Sequence, residues 1–212
     1  MTITYEDYII SQYIDQLKNY KESLAEWKNL GVKERIQEEI KTEEERVQEK
    51  IPEMSFDEQE EAICEFQEFV IKQVVKYFDA LSEKCQRAYA IFENQLAKGG
   101  MKKSDLDRNE YPKVTEMNEV VNVLKHGKGN SYALLENAGS KYINVPTEIL
   151  SVAPDMPPQI ILDIFDSTQS GVLLNLEYAD ITSFLDEAIL VWSKKLDANK
   201  AAREAGTEPT DE

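Results

Sequence analysis

Along the first thirty positions the apolar residues step alternately by three and four: Ile10, Tyr13, Leu17, Tyr20, Leu24 and Trp27. That is a heptad seam, and it predicts a helix lying at a shallow angle along a neighbour. Gly31 ends it, and the short connection makes the next helix an antiparallel neighbour. Residues 32–51 are helical in propensity but carry one thin stripe, Ile36, Ile40, Val47 and Ile51, among Glu, Lys, Arg and Gln. Such a helix packs by a single edge or protrudes, and Pro52 closes it. Ser55 and Glu58 then have the spacing of a capping box. They open the strongest apolar pattern of the chain: Phe66, Val70, Val74, Tyr77, Leu81, Ala88, Phe92 and Leu96. This run is either one long helix or two with a break near Ser82, and it is expected to be the centre of the core. Its aromatic positions are read as core packing. Gly99 and Gly100 stop it.

Residues 101–112 read as a polar loop. Val114, Met117, Val121 and Leu124 then form one face of a shorter helix, with Thr115 placed as its N-cap and Gly127 just past its end. Residues 132–138 add a helical turn or two. Between 140 and 176 the pattern shifts to short β-leaning runs (142–145, 160–165 and 172–174) punctuated by Pro154, Pro157, Pro158 and Gly171. This predicts a small strand-containing excursion, or irregular loops capping the helices. Asp180 is placed as the cap of a last helix with Ile181, Phe184, Leu185, Ala188, Val191, Trp192 and Leu196 on one face. The fold class is therefore mainly α: an antiparallel helical bundle with a long central helix. Residues 1–196 form a single helical domain, and 197–212, with no core-forming residues, are expected to be a disordered acidic tail.

Charge narrows the function classes. The 212 residues carry 41 acidic against 24 basic side chains, a net −17. That balance argues against sequence-independent affinity for a phosphate backbone. It suits a solvated helical surface, a basic protein partner or mimicry of nucleic acid. No apolar run approaches the length of a membrane span, and the N-terminus lacks a charged-then-apolar signal pattern, so a cytoplasmic protein without membrane association is expected. Cys64 and Cys85 fall in one helical segment, where about 30 Å would separate them, so they are read as reduced core thiols. One histidine and two separated cysteines are too few for a zinc site, and neither a metal nor a cofactor is expected.

The candidate chemistry lies in residues 115–131, which hold the single histidine. Glu119, Asn122 and His126 fall at i, i+3 and i+7, on one polar face of the helix. A carboxylate, an amide and an imidazole together can position a hydroxyl or phosphate and move a proton near neutral pH. Beyond Gly127, the glycine-broken loop offers backbone amides with Lys128 and Asn130 as an anion-binding rim. The alternative is purely structural: Lys125 and His126 suit the negative end of the helix dipole, and Gly127 caps it.

Asn122, Lys125 and His126, in the pattern N-x-x-K-H, resemble the later part of the motif of HEPN-type helical-bundle proteins. The resemblance implies a prokaryotic or phage helical bundle. In active members it implies a metal-independent RNA-cleaving site at a dimer interface, in toxin–antitoxin or antiviral systems. It would make His126 the general acid/base, Asn122 its orienting partner, and Lys125 or Lys128 the stabiliser of phosphorane charge. The position of the family's arginine, five to seven residues before His126, holds Glu119, Val120 and Val121. Two expectations follow. The first is an acidic helical interaction protein: a partner, inhibitor or accessory subunit in a prokaryotic or phage defence or toxin–antitoxin system. It would engage a protein partner or itself through its helices, with residues 32–51 as the exposed arm. The second is a HEPN-like endoribonuclease acting on RNA through His126.

Overall fold

The computed structural model describes residues 4–168 and 172–205, the side chains of 166–168 excepted. Its α-helices are α1 (Tyr5–Asn29), α2 (Val32–Lys50), α3 (Phe56–Lys98), α4 (Pro112–His126), α5 (Asn130–Asn137), α6 (Thr147–Leu150), α7 (Pro158–Thr168) and α8 (Tyr178–Glu204). The described residues contain no strand. The chain is a mainly α, antiparallel bundle organised on α3, as the apolar pattern implies.

Helix α3 passes Ser82 without a break and runs for 43 residues. Its start is fixed by the capping box: Glu58 Oε2 accepts from the Ser55 backbone N–H at 2.7 Å. Its buried face begins only at Val70, and no earlier residue of the helix is buried. Helices α1 and α8 flank it side by side and antiparallel. The Tyr13 and Trp192 rings lie 4.9 Å apart, Lys21 pairs with Asp186 further along, and Arg203 pairs with Asp7 at the termini. α1 is tied to α3 by polar contacts that its heptad seam gives no hint of. The Gln95 amide donates to the Tyr13 carbonyl at 3.1 Å, and the Tyr20 hydroxyl donates to the Lys84 carbonyl at 2.9 Å. Helix α4 packs on both α3 and α8, with Cys85 Sγ donating to Met117 Sδ at 3.1 Å. Trp192, fully buried near the middle of α8, packs against the C-terminal end of α3. A Cβ on Gly99 would sit 2.6 Å from the Trp192 ring, so glycine here permits close approach as well as ending α3.

Several boundaries differ from the sequence reading for identifiable reasons. Residues 160–165, apolar and β-leaning, are helical: Pro158 opens α7 at the first helical position, where its missing N–H costs nothing. Lys141–Ile143 form a 3-10 turn, and 172–177 have no regular secondary structure; Asn175 N–H donates to the Tyr142 carbonyl at 2.9 Å. This excursion is held to the bundle by Lys141, which pairs with both Glu177 (3.3 Å) and Asp180 (2.6 Å). Glu148 adds a second tie, accepting from the Tyr77 hydroxyl at 2.9 Å and the Tyr178 N–H at 3.3 Å.

Asp180 is not the cap of α8; the cap is Glu177, and the Asp180 carboxylate accepts from its N–H at 2.9 Å. Nor is Thr115 a cap. α4 begins at Pro112, and the Thr115 hydroxyl donates back to the Tyr111 carbonyl at 3.3 Å. Helix α8 continues past Leu196 to Glu204, while 206–212 lie outside the described residues.

Helix α2 buries Ile36 and Ile40 and leaves Val47 and Ile51 half-buried, which is single-edge packing. It folds back on the first half of α3, joined through the Gln59 amide, which donates to the Ile51 carbonyl at 3.2 Å, and through Lys76, which pairs with Glu39 at 3.7 Å. Together they form a helical hairpin projecting beyond the main core.

Candidate functional site

Two surfaces stand out: one holds residues singled out for chemistry, and the other includes part of the arm expected over residues 32–51. The first is built where α4 ends. Gly127, at φ +72°, turns the chain away, leaving Lys125 and His126 exposed in the last turn. They border a groove of about 850 Å³ whose long wall is α3, with Asp79, Ser82, Glu83 and Arg87 along it and Phe78 and Phe165 below. The two phenylalanines meet edge to face at 6.3 Å. The Arg87 guanidinium lies 5.8 Å from the centre of the Tyr20 ring, and burial pushes the Tyr20 phenol up to about 12 despite that cation.

Arg87 and Lys125 have no ion-pair partner among the described residues, and neither has the His126 ring. Ser82 is buried, and its Oγ has no hydrogen-bond partner among the described residues. Desolvation raises the Asp79 carboxyl from its ordinary value. The groove therefore presents two carboxylates, two fixed cations and an imidazole over an aromatic floor.

The polar face expected on α4 does not act as one unit. Glu119 borders a different cleft, between α3, α4 and the 103–108 segment. There it accepts from the Asn118 amide at 3.1 Å, while Asn118 Oδ1 accepts from the Tyr89 hydroxyl (2.6 Å) and Lys103 (3.1 Å). Asn122 is half-buried, lines neither cleft, and has no side-chain hydrogen bond among the described residues. Lys128 sits 5.7 Å above the Tyr132 ring, and Asn130 is the exposed first residue of α5; neither borders the His126 groove. Of the six expected site residues, the fold brings only Lys125 and His126 into one groove. It adds Ser82 and Arg87, whose long-range approach no local pattern announces.

The second surface lies on the projecting hairpin. Ile40 of α2, Ile63, Phe66 and Val70 of α3, and Met156 and Ile160 from the excursion line an apolar groove of about 540 Å³. Glu44, Lys41 and Asp155 stand on its rim. Ile63 is 45% exposed, and Phe56, two turns earlier on the same face, is 78% exposed. The sequence does carry a signal here: Phe56 and Ile63 extend the α3 apolar stripe outward past the point where the core ends.

Comparisons with protein-family models, with curated proteins and with solved structures give no match to this chain.

Proposed function

We propose that this protein acts by binding another protein, as a partner, inhibitor or accessory subunit, and that the α2–α3 hairpin is the surface it uses. The observation that carries this reading is the set of apolar side chains Phe56, Ile63 and Phe66 leading into the groove, all outward of Val70, the first buried residue of α3, with Gln59 and Glu60 between the first two. Large apolar side chains held in water on a rigid helix, rimmed by charge, are the usual mark of a macromolecular contact. The arm expected over residues 32–51 becomes, on this reading, one wall of a two-helix surface rather than a free helix.

The test is a photo-crosslinking residue placed at position 63, with position 190 as the control, since Leu190 is similarly exposed (42%) on α8. A stoichiometric protein adduct is expected at 63 and none at 190, and Ile63→Ser should abolish capture of the same protein by the unmodified chain. Undiminished capture by a natively folded Ile63→Ser chain would remove the hairpin from the reading.

A second reading, a HEPN-like metal-independent endoribonuclease, is favoured by one observation. Arg87 borders the same groove as His126 and Lys125, which supplies an arginine that the local motif lacks. His126 would move the proton, and Arg87 and Lys125 would stabilise phosphorane charge. Asp79 and Glu83 border that groove too and repel a phosphodiester, so the binding reading stands first. RNA incubated with the protein in EDTA, beside the His126→Ala variant, decides this. Cleavage lost only in the variant supports the nuclease, and cleavage that survives the substitution removes His126 from the chemistry.

A further inference from the structure

We infer that the occupant of the α2–α3 groove is a basic amphipathic helix of a partner protein, docking over about three turns; this rests on the binding reading above. Length comes first. From Phe56 to Phe66 the exposed and half-buried apolar positions of α3 rise about 15 Å at 1.5 Å per residue, nearly three helical turns, and buried Val70 closes the inner end of the groove. Phe56, Ile63 and Phe66 fall on one face at one- and two-turn intervals, and Ile40 of α2 with Met156 and Ile160 of the excursion line the same groove. A groove lined by apolar residues at helical spacing accepts a helix that lays down anchors at i, i+3/i+4 and i+7. A methionine in its wall adds side-chain adaptability.

Charge decides which helix. Residues 32–72 hold 14 acidic and 6 basic side chains, a net −8, close to half of the −17 carried by the whole chain. On the rim, Lys41 is matched by Glu45 at 3.9 Å, whereas Glu44 and Asp155 have no ion pair among the described residues. A cationic polar face on the incoming helix meets these carboxylates and is steered by them. A second copy of this chain would instead bring two hairpins of net −8 together, and an acidic partner helix meets the same repulsion.

The probes are three fluorescein-labelled synthetic peptides of about 16 residues, enough for slightly more than four turns. One has leucine on one helical face and lysine on the other, one is its scramble with identical composition, and one has glutamate for every lysine. Each is titrated by anisotropy into the full chain and into the Ile63→Ser and Phe66→Ser variants, whose helicity is checked by circular dichroism. Sedimentation gives the oligomeric state of each protein.

The amphipathic lysine peptide should bind at least about tenfold more tightly than its scramble, a difference of about 1.4 kcal/mol. It should lose about tenfold on Ile63→Ser and weaken as salt shortens the Debye length. The glutamate peptide should not bind. Equal binding of the scramble would show charge attraction alone and overturn the inference. So would indifference to Ile63→Ser, or a native dimer that Ile63→Ser dissociates. Where the peptides fail yet Ile63→Ser still abolishes partner capture, the helix occupant falls and the binding surface stands. Where capture is also unaffected, both fall.

Discussion

Replacing Arg203 by alanine tests whether the last turns of α8 belong to the folded body. Arg203 Nη2 lies 2.5 Å from Asp7 Oδ2, and the Asp7 side chain is only 5% exposed against 23% for Arg203. Burial raises the Asp7 carboxyl, but hydrogen bonding and charge from Arg203, with smaller help from Thr4, outweigh it and hold it below its ordinary value. Asp7 Oδ1 has no hydrogen-bond partner among the described residues, so losing the guanidinium at Oδ2 leaves a buried carboxylate without its counter-charge. Breaking a fully buried pair from one side costs about 3–5 kcal/mol and an exposed pair under about 1. With one partner a quarter exposed, about 2 kcal/mol is expected, or a fall in Tm of about 4–8 °C for a chain of this size.

The pH dependence follows in sign. A carboxyl lowered by folding contributes stability that is present above its unfolded value, about 3.9, and is lost as pH falls through its folded value. The gap between wild type and Arg203→Ala, read from urea melts followed by circular dichroism, should be full at pH 7 and close as the pH drops below about 4. A gap under about 0.5 kcal/mol at pH 7, within the range of an ordinary surface substitution, would mean that the clamp contributes nothing and that α8 frays after Leu196.

Gly99→Ala should cost about 2 kcal/mol, because its methyl would meet the Trp192 ring at 2.6 Å where that ring packs against the C-terminal end of α3; adding Trp192→Phe should recover part of the loss in thermal melts. Only Cys85 is the core thiol expected of both cysteines, with burial pushing it well up, while Cys64 lies exposed on the outer part of α3; a thiol reagent should therefore label one site per native chain and two in guanidinium, and two at once in buffer would contradict the burial. Tyr77→Phe removes the hydroxyl that donates to Glu148 at 2.9 Å, and should lower stability by about 1 kcal/mol without changing helicity; an unchanged urea midpoint would mean that water replaces the bond at no cost.

The helices that carry a long periodic stripe were legible in the sequence. The seam of α1, the continuous face of α3 and the face of α8 all pack as their spacing implies, because a repeat sustained over many turns has one way to be buried. Short segments were not. Residues 160–165 contain too few turns to separate a helix from a buried strand, and the decision rests with Pro158 at the first position of α7. Thr115 and Asp180 look like caps, yet each sits inside the first turn of its helix, since capping residues are also common there. Residues 198–204 offered no apolar signal, and what holds Arg203 is a carboxylate nearly two hundred positions away. The same holds for the His126 groove. Its α4 rim was visible locally, but Arg87 and Ser82 join it only because α3 and α4 lie antiparallel.

One uninterrupted rod carries both surfaces. At 1.5 Å per residue, α3 is about 65 Å long, with Ile63 and Phe66 near its outer end and Asp79 to Arg87 at its middle. With no proline or glycine inside it to absorb bending, the rod has no hinge of its own between them. A partner seated on the outer end and a ligand in the His126 groove would therefore be held on one helix, about 24 Å apart from Ile63 to Asp79.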